Sequence, residues 1–370
     1  VALVIEREKI LTLGERVISG ERIDADRCVD LLKSRWISEL GYASNAYTLH
    51  IHPDADQVCT FVIDANINYT NICTSRCRFC AFYREKGHPE AYVRSRDEIL
   101  AGVSHLVKHH GTQVMLQGGH NPDLPFDYYL DILKSIKKRF PSVHIHSFSP
   151  PEILFFSKIY GMDIDSVLQE LKDAGLDSLP GGGAEILVDR VRKKVSPGKG
   201  STASWLEVMR IAHEKGLPST ATMMYGHAET LRDRAEHLLR IRELQDETRG
   251  FTAFIPWSYQ PAEGGPGRTR ASPVDYLRLV AASRLMLDNI SNIQAGWLTE
   301  GGEIAQIALG FGANDFGGVI LGEEVLRSTG TDTRLDLEDI LDLIRRTGRT
   351  PVQRDTYYHR IRRYSTKRKD

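Results

Sequence analysis

Three of the five cysteines fall within eight positions, Cys73, Cys77 and Cys80, in the spacing C-x3-C-x2-C. With so few cysteines in the chain, this grouping by chance has a probability of about 1 in 1,000. Three thiolates on one tight loop can ligate three irons of a 4Fe–4S cluster, whereas electron-transfer clusters normally take four cysteines. The missing fourth ligand is informative, because a metal with an open position can bind a substrate. Zinc held by these thiolates plus His88 is the competing chemistry. Zinc sites usually pair two separated knuckles, however, and the sequence has no second cysteine knuckle. Cys59 precedes the first strand and would lie at its far end, roughly 30 Å away, too far to be a fourth ligand. Cys28 sits in a helical pattern and reads as a buried, inert thiol.

Other residues with chemical potential are spread along the chain. Gly118 and Gly119 allow a backbone to approach a ligand closely, though a plain turn also needs glycine. Gly181, Gly182 and Gly183 precede Glu185, and backbone amides there can hold a carboxylate or hydroxyls. His120, His146 and His227 are candidates for substrate contact or proton transfer, with Ser149 close to His146. Asp315 and Glu300 are candidate acids or bases. Arg84, Arg278 and Arg354 are candidate partners for a substrate carboxylate. Tyr225, Trp257 and Trp297 are candidates for cavity walls, with core packing as the alternative for each.

Strand-like and helix-like segments alternate so as to bring these residues together. Strands are expected at Thr60–Asn68, Gln113–Leu116, Val143–Phe148, around Ser178–Leu179, Thr220–Met224, Phe251–Pro256, Ile293–Gly296 and Asp315–Ile320. Amphipathic stretches such as Ser95–His109, Asp127–Arg139, Ala203–Lys215 and Leu231–Gln245 separate them. Strands joined through helices predict parallel pairing, because a parallel pair needs a long crossover. Eight such strands match a closed (β/α)8 barrel, with a doubly wound open sheet as the alternative. In a barrel the chemistry sits on the loops after the strands, which is where most of the residues named above fall. We read residues 1–59 as an N-terminal helical extension, 60–330 as the barrel and 331–370 as a C-terminal helical extension and tail. Arg360 to Lys369 reads as solvated tail, and Pro261–Gly267 as a loop over a strand end.

The bulk numbers limit the partners. The chain has 370 residues, with 48 Lys plus Arg against 49 Asp plus Glu. No basic run with interleaved aromatics points to nucleic acid. No stretch approaches the ~18 apolar residues of a membrane span. Val1 to Ile5 is followed at once by charged residues, so no signal-peptide core is expected. Clustered, odd-numbered cysteines suit metal binding in a reducing cytoplasm.

The cysteine loop, with Phe79 before its third cysteine, resembles the radical S-adenosylmethionine superfamily. Several longer stretches carry a narrower resemblance, including Cys80-Ala-Phe-Tyr-Arg84, Gln117-Gly-Gly-His-Asn-Pro122, His146-Ser-Phe-Ser-Pro-Pro-Glu152, Leu179-Pro-Gly-Gly-Gly-Ala-Glu185 and Pro351-Val-Gln-Arg-Asp-Thr-Tyr-Tyr358. They are similar to the menaquinone-pathway enzymes that act on futalosine derivatives, above all the cyclic dehypoxanthine futalosine synthase family, from about Glu6 to Tyr358. Ile255-Pro-Trp257-Ser-Tyr-Gln260-Pro and Gln353 favour that family over its sister, the aminofutalosine synthases. A deazaflavin synthase component is a looser alternative, and a non-enzymatic iron–sulfur carrier or sensor a more distant one.

The resemblance implies a radical barrel with a 4Fe–4S cluster on Cys73, Cys77 and Cys80, chelated at its open iron by the amino and carboxylate groups of S-adenosylmethionine. It implies a cofactor-binding shell of Phe79, Tyr83, Gly118, Gly119, Ser149, Glu185 and Arg190. Here Glu185 would meet the cofactor ribose, and either Arg190 or Arg192 its methionine carboxylate. It further implies dehypoxanthine futalosine as substrate and flavodoxin or ferredoxin as reductant. His120, His146, His227 and Asp315 are the expected catalytic candidates.

Overall fold

The computed structural model describes residues 7–261, 271–322, 324–325, 327–330 and 335–366. The expected loop at Pro261–Gly267 therefore lies, beyond Pro261, outside the described residues. Among the described residues there are nine strands: β1 (Val58–Asn68), β2 (Gln113–Gln117), β3 (His144–Ser147), β4 (Ser219–Tyr225), β5 (Phe251–Ser258), β6 (Asn292–Ile293), β7 (Asp315–Leu321), β8 (Thr350–Arg354) and β9 (Arg360–Arg363).

The sheet is parallel except at its C-terminal addition. β1 pairs with β2, and β2 with β3. Single bridges then join His146 to Ser178 and Leu179 to Ser219, so Ser178–Leu179 takes the fourth place in the ring. β4, β5 and β6 follow in order. A bridge from Gln294 to Asp315 leads to β7, which pairs back onto β1. The ring of pairings is the barrel that the alternation of strands and helices predicts, seamed by single bridges where its strands are shortest.

β1 is buried along its whole length. A strand covered on both faces should be almost continuously apolar, and the first part of β1, Val58–Ile63, largely is. Around the barrel, helices such as Arg96–Lys108, Phe126–Arg139, Thr202–Glu214 and Leu231–Thr248 cover the outer faces. Ser95 caps the first of these through a reciprocal box with Glu98, the arrangement that satisfies two orphan amides of a helix start. Helices Ala25–Lys33 and Ile37–Ile51 pack on helix Pro273–Met286.

The C-terminal segment departs from the expected helix and solvated tail. Helix Leu337–Arg346 is present, but β8 follows and pairs in parallel with the first residues of β1, Val58 against Thr350. β9 then pairs antiparallel with β8. Arg360-Ile-Arg-Arg363 reads as a solvated tail because it is rich in arginine, and all four residues are indeed exposed; its pairing is through the backbone, and the arginines protect an open sheet edge.

Candidate active site

The cysteine loop leaves the C-terminal end of β1 and is held by backbone contacts from several elements. Cys73 N–H donates to the Arg84 carbonyl at 3.1 Å and Arg84 N–H to the Asn71 carbonyl at 2.8 Å, which pins the ends of the loop together. Arg78 N–H donates to the Val195 carbonyl. Thr74 donates from both its amide and its hydroxyl to the His120 carbonyl, each at 3.0 Å. Arg84, a candidate carboxylate partner, instead donates to the carbonyls of Ala81 and Tyr83 and pairs with Glu90.

The donor set fits a cluster held by three thiolates. Cys73, Cys77 and Cys80 share this one loop, while Cys28 and Cys59 are fully buried elsewhere. Burial pushes the Cys77 thiol up to about 12, opposed by the nearby Lys199 ammonium, so its thiolate form calls for a metal or a cation. His88, the fourth ligand that a zinc site would need, is exposed, and its Nδ1 accepts from the Glu90 amide at 3.1 Å.

Gly118 and Gly119 meet a packing requirement. A Cβ on Gly118 would lie 2.4 Å from the Tyr69 ring, and one on Gly119 2.2 Å from the Ile72 carbonyl and 2.9 Å from Cys73 Cβ. The Gly119 backbone thus stands against the first cysteine. Glu152 supports this turn: it accepts from Gly118 N–H, the Tyr69 hydroxyl, and both the amide and hydroxyl of Ser149. Ser149 is thereby engaged at the start of helix Pro150–Tyr160.

Glu185 lies fully inside, with its backbone in the left-handed region at φ 44°. Lys199 Nζ donates to its carboxylate at 3.0 Å and lies 5.2 Å above the Phe79 ring. Burial would raise the Glu185 carboxyl, but the charges of Lys199 and Arg192 outweigh it and hold the carboxyl below its usual range. Arg192 donates to four carbonyls, Gly183, Ala184, Lys199 and Gly200, and so is a clamp on the glycine-rich loop. Arg190 pairs with Asp233 and is 57% exposed. Lys199 joins the cysteine loop to Glu185, yet nothing in its local sequence marks it.

Below the loop a cavity of about 320 Å³ runs through the barrel. Trp257, Trp297, Met115, Ile255 and Ile320 give it apolar walls, whereas Tyr225 packs outside it. Gln117 lines the upper part near Gly182, and Arg354 and Tyr358 line it too, brought in by the C-terminal segment. His146 also lines it. Its Nδ1 lies 2.6 Å from Ser178 Oγ, and burial lowers the ring to about 3, so it is neutral.

Asp64 also lines this cavity, and it is absent from the residues selected on sequence. Its signal was legible: Asp64, Asn66 and Asn68 are polar at every second position in the second half of β1, and therefore share one face. In all three the Oδ1 atom is buried with no hydrogen-bond partner among the described residues.

Other selected residues stand elsewhere. His120 is fixed by Ser75 Oγ, 2.6 Å from its Nδ1, and stacks on Phe155; it is a positioning residue of the cysteine loop. His227 accepts at Nδ1 from Ala228 N–H and donates from Nε2 to the Met224 carbonyl, which sets one neutral tautomer. Asp315 opens β7, at the opposite end of the barrel from the cysteine loop. It accepts from Arg354 Nε and Nη2 at 2.5 and 2.9 Å and from the Thr60 hydroxyl. Arg278 pairs with Asp275 and the Ser34 carbonyl on the outer helices. Tyr83 is half-buried beside the loop, and its carbonyl accepts from Arg84. Glu300 accepts from the Ser258 amide after β5.

Comparison with known proteins agrees with this arrangement. Residues 67–241 match the model of the radical SAM superfamily, and residues 248–367 that of the CofH/MqnC C-terminal region. The chain is 45% identical to a cyclic dehypoxanthine futalosine synthase of Halalkalibacterium halodurans, over 95% of each chain. It is 42% identical to a 5-amino-6-(D-ribitylamino)uracil–L-tyrosine 4-hydroxyphenyl transferase of Methanopyrus kandleri, over 82% of this chain and 85% of that one. It is 37% identical to an aminodeoxyfutalosine synthase of Thermus thermophilus, over 97% of each. The crystal structure of methylornithine synthase shares the fold, with a TM-score of 0.70 at 20% identity, covering 91% of this chain and 95% of that one. Proteins of this superfamily use a 4Fe–4S cluster and S-adenosylmethionine. The chain belongs to the radical S-adenosylmethionine superfamily, in the branch that carries the CofH/MqnC C-terminal region.

Proposed function

We propose that the chain converts dehypoxanthine futalosine to cyclic dehypoxanthine futalosine, a step of menaquinone biosynthesis. The observation that supports this most is full-length likeness at 45% identity to a synthase of that name, which exceeds the likeness to the aminodeoxyfutalosine synthase. Cys73, Cys77 and Cys80 would hold the cluster, and with S-adenosylmethionine it would supply the one-electron chemistry that removes the hydrogen from C4′ of the substrate ribose. C4′ then joins the benzoate ring of the same substrate.

The chain's own residues bind, orient and shield. Cys73, Cys77 and Cys80 hold the cluster. Glu185, kept ionised by Lys199 and Arg192, offers paired acceptors for a ribose diol. The Gly118–Gly119 turn brings backbone against Cys73, where an amino acid moiety would lie. Trp257, Trp297, Met115 and Ile255 exclude water and stray hydrogen donors from a carbon radical. Reducing equivalents come from a flavodoxin or ferredoxin.

The test uses anaerobically reconstituted protein with S-adenosylmethionine, dithionite and dehypoxanthine futalosine, followed by mass spectrometry. Substrate-dependent free 5′-deoxyadenosine and a product lacking two hydrogens support the reading. An untouched substrate, together with adenosyl incorporation into the precursor of aminodeoxyfutalosine, would place the chain with the sister enzymes instead.

A further inference from the structure

We infer that Asp64 is the catalytic base of the cavity: its carboxylate takes the proton from the benzoate ring carbon that has been joined to C4′. The inference rests on the cyclising function proposed above. On the inward face of β1, Asp64, Asn66 and Asn68 each hold a buried Oδ1 that has no partner among the described residues. Buried acceptors are normally satisfied within the fold. Asn68 is oriented by its own amide, which donates to the Gln117 carbonyl. Asp64 and Asn66 line the cavity, and Asp64 is only 6% exposed. Acceptors left open on a cavity wall are available to a ligand.

The neighbouring strand is shaped around Asp64. β7 bulges against β1, with Thr60 opposite Asp315 but Val62 opposite Gly318. Gly317 sits in that bulge at φ 83°, and Gly318 comes to rest where a Cβ would lie 2.3 Å from Asp64 Oδ1. A bulge of this kind re-aims a strand next to a site. Here it clears the room that the carboxyl occupies.

The charges facing Asp64 leave it unpaired. From β8 comes Arg354, whose guanidinium is committed to Asp315 of β7 and to the Asp355 carbonyl. β2 presents only the neutral Gln113, Met115 and Gln117. Burial raises the Asp64 carboxyl to about 7, opposed by Arg354 and reinforced by Asp315, the range in which a general base works best at neutral pH. The other titratable groups on the cavity wall are unsuited to this task. His146 is pushed down to about 3. Tyr358, which lies under the Arg354 guanidinium and accepts from Gln294, is a phenol raised by burial. His120 and His227 stand outside the cavity.

After C–C bond formation the attacked ring carbon still carries its hydrogen. Breaking that C–H bond sends the proton to Asp64 and returns the bonding pair to the ring. The one surplus electron leaves to a one-electron acceptor of the iron–sulfur class, and aromaticity is restored.

The test measures the ratio of cyclised product to 5′-deoxyadenosine in the reconstituted holoenzyme, with dehypoxanthine futalosine, from about pH 5.5 to about pH 9. In the wild type the ratio should fall as pH drops through about 7. In Asp64→Asn it should fall about 10²-fold and lose that pH dependence, with partial return in Asp64→Glu. A wild-type ratio flat across the range, or an Asp64→Asn ratio equal to wild type, overturns the inference. The wild-type profile decides the matter even if the variant does not fold. A wild type that leaves the substrate untouched overturns the functional reading itself, a separate outcome.

Discussion

Lys199, a fifth exposed, pairs with the fully buried Glu185, Nζ to carboxylate at 3.0 Å, and is also poised over Phe79 of the cysteine loop. One side chain therefore ties the cluster-binding loop to the glycine-rich loop. Removing the ammonium leaves the buried Glu185 carboxylate with only Arg192 to offset it, a loss of about 1–3 kcal/mol. Lys199→Met should show that loss in urea unfolding. It should also retain less iron after reconstitution, since the ammonium offsets the charge of the Cys77 thiolate; Lys199→Arg should restore part of both.

The five cysteines should divide cleanly. Replacing Cys73, Cys77 or Cys80 by alanine should abolish the charge-transfer absorbance of the cluster and most bound iron. Cys28→Ala and Cys59→Ala should leave iron content unchanged, because both thiols are fully buried away from the loop. Burial holds the Cys28 thiol at about 12, well short of ionising at neutral pH. Iron and sulfide analysis of the five variants checks this.

Arg354 and Asp315 lock the C-terminal segment to the floor of the barrel, both almost wholly buried. Asp315→Asn should cost about 3–5 kcal/mol in chemical denaturation. The double variant Asp315→Leu with Arg354→Met should recover more than half of that, because replacing a buried pair by apolar groups removes the desolvation cost of both. Equal losses in single and double variants would contradict this account.

The stability of the fold should carry a signature of Asp64. Its carboxyl titrates near 3.8 when unfolded and about 7 when folded. Protonation is thus favoured in the native state, and the stabilisation is complete below the unfolded value and is lost as pH rises through the folded one. Relative to wild type, Asp64→Asn should gain about 2 kcal/mol between about pH 5.5 and about pH 8. Unfolding curves at those two pH values measure it, and a gap that stays constant would refute it.

Gly318→Ala should disturb Asp64 more than it disturbs the fold, since the added methyl lies against Oδ1 at 2.3 Å. Product yield should drop. The unfolding cost of Gly318→Ala, about 1–3 kcal/mol for an overpacked site, should shrink in an Asp64→Ala background, as expected for directly coupled residues.

Features that depend on near neighbours were legible in the order of residues alone. Cys73, Cys77 and Cys80 fall on one loop because their spacing keeps them there whatever the rest of the chain does. The strands and their covering helices were legible because each carries its own periodicity, and their alternation implied parallel pairing. Even the polar run Asp64, Asn66 and Asn68 was visible, as a break in an apolar strand, though its meaning was not. The tertiary structure alone decided which distant groups meet. Lys199 reaches Glu185, Arg354 reaches Asp315, and His120 is spent on Ser75 because of barrel closure and register, which no local pattern encodes. It also turned Arg360–Arg363 from expected tail into a strand, since the backbone groups of β8 offered a partner that the side chains do not reveal. Whether Asp64 is solvated, paired or left open is a matter of what surrounds it in three dimensions. That surrounding comes from β7 and β8, more than 250 residues further along the chain.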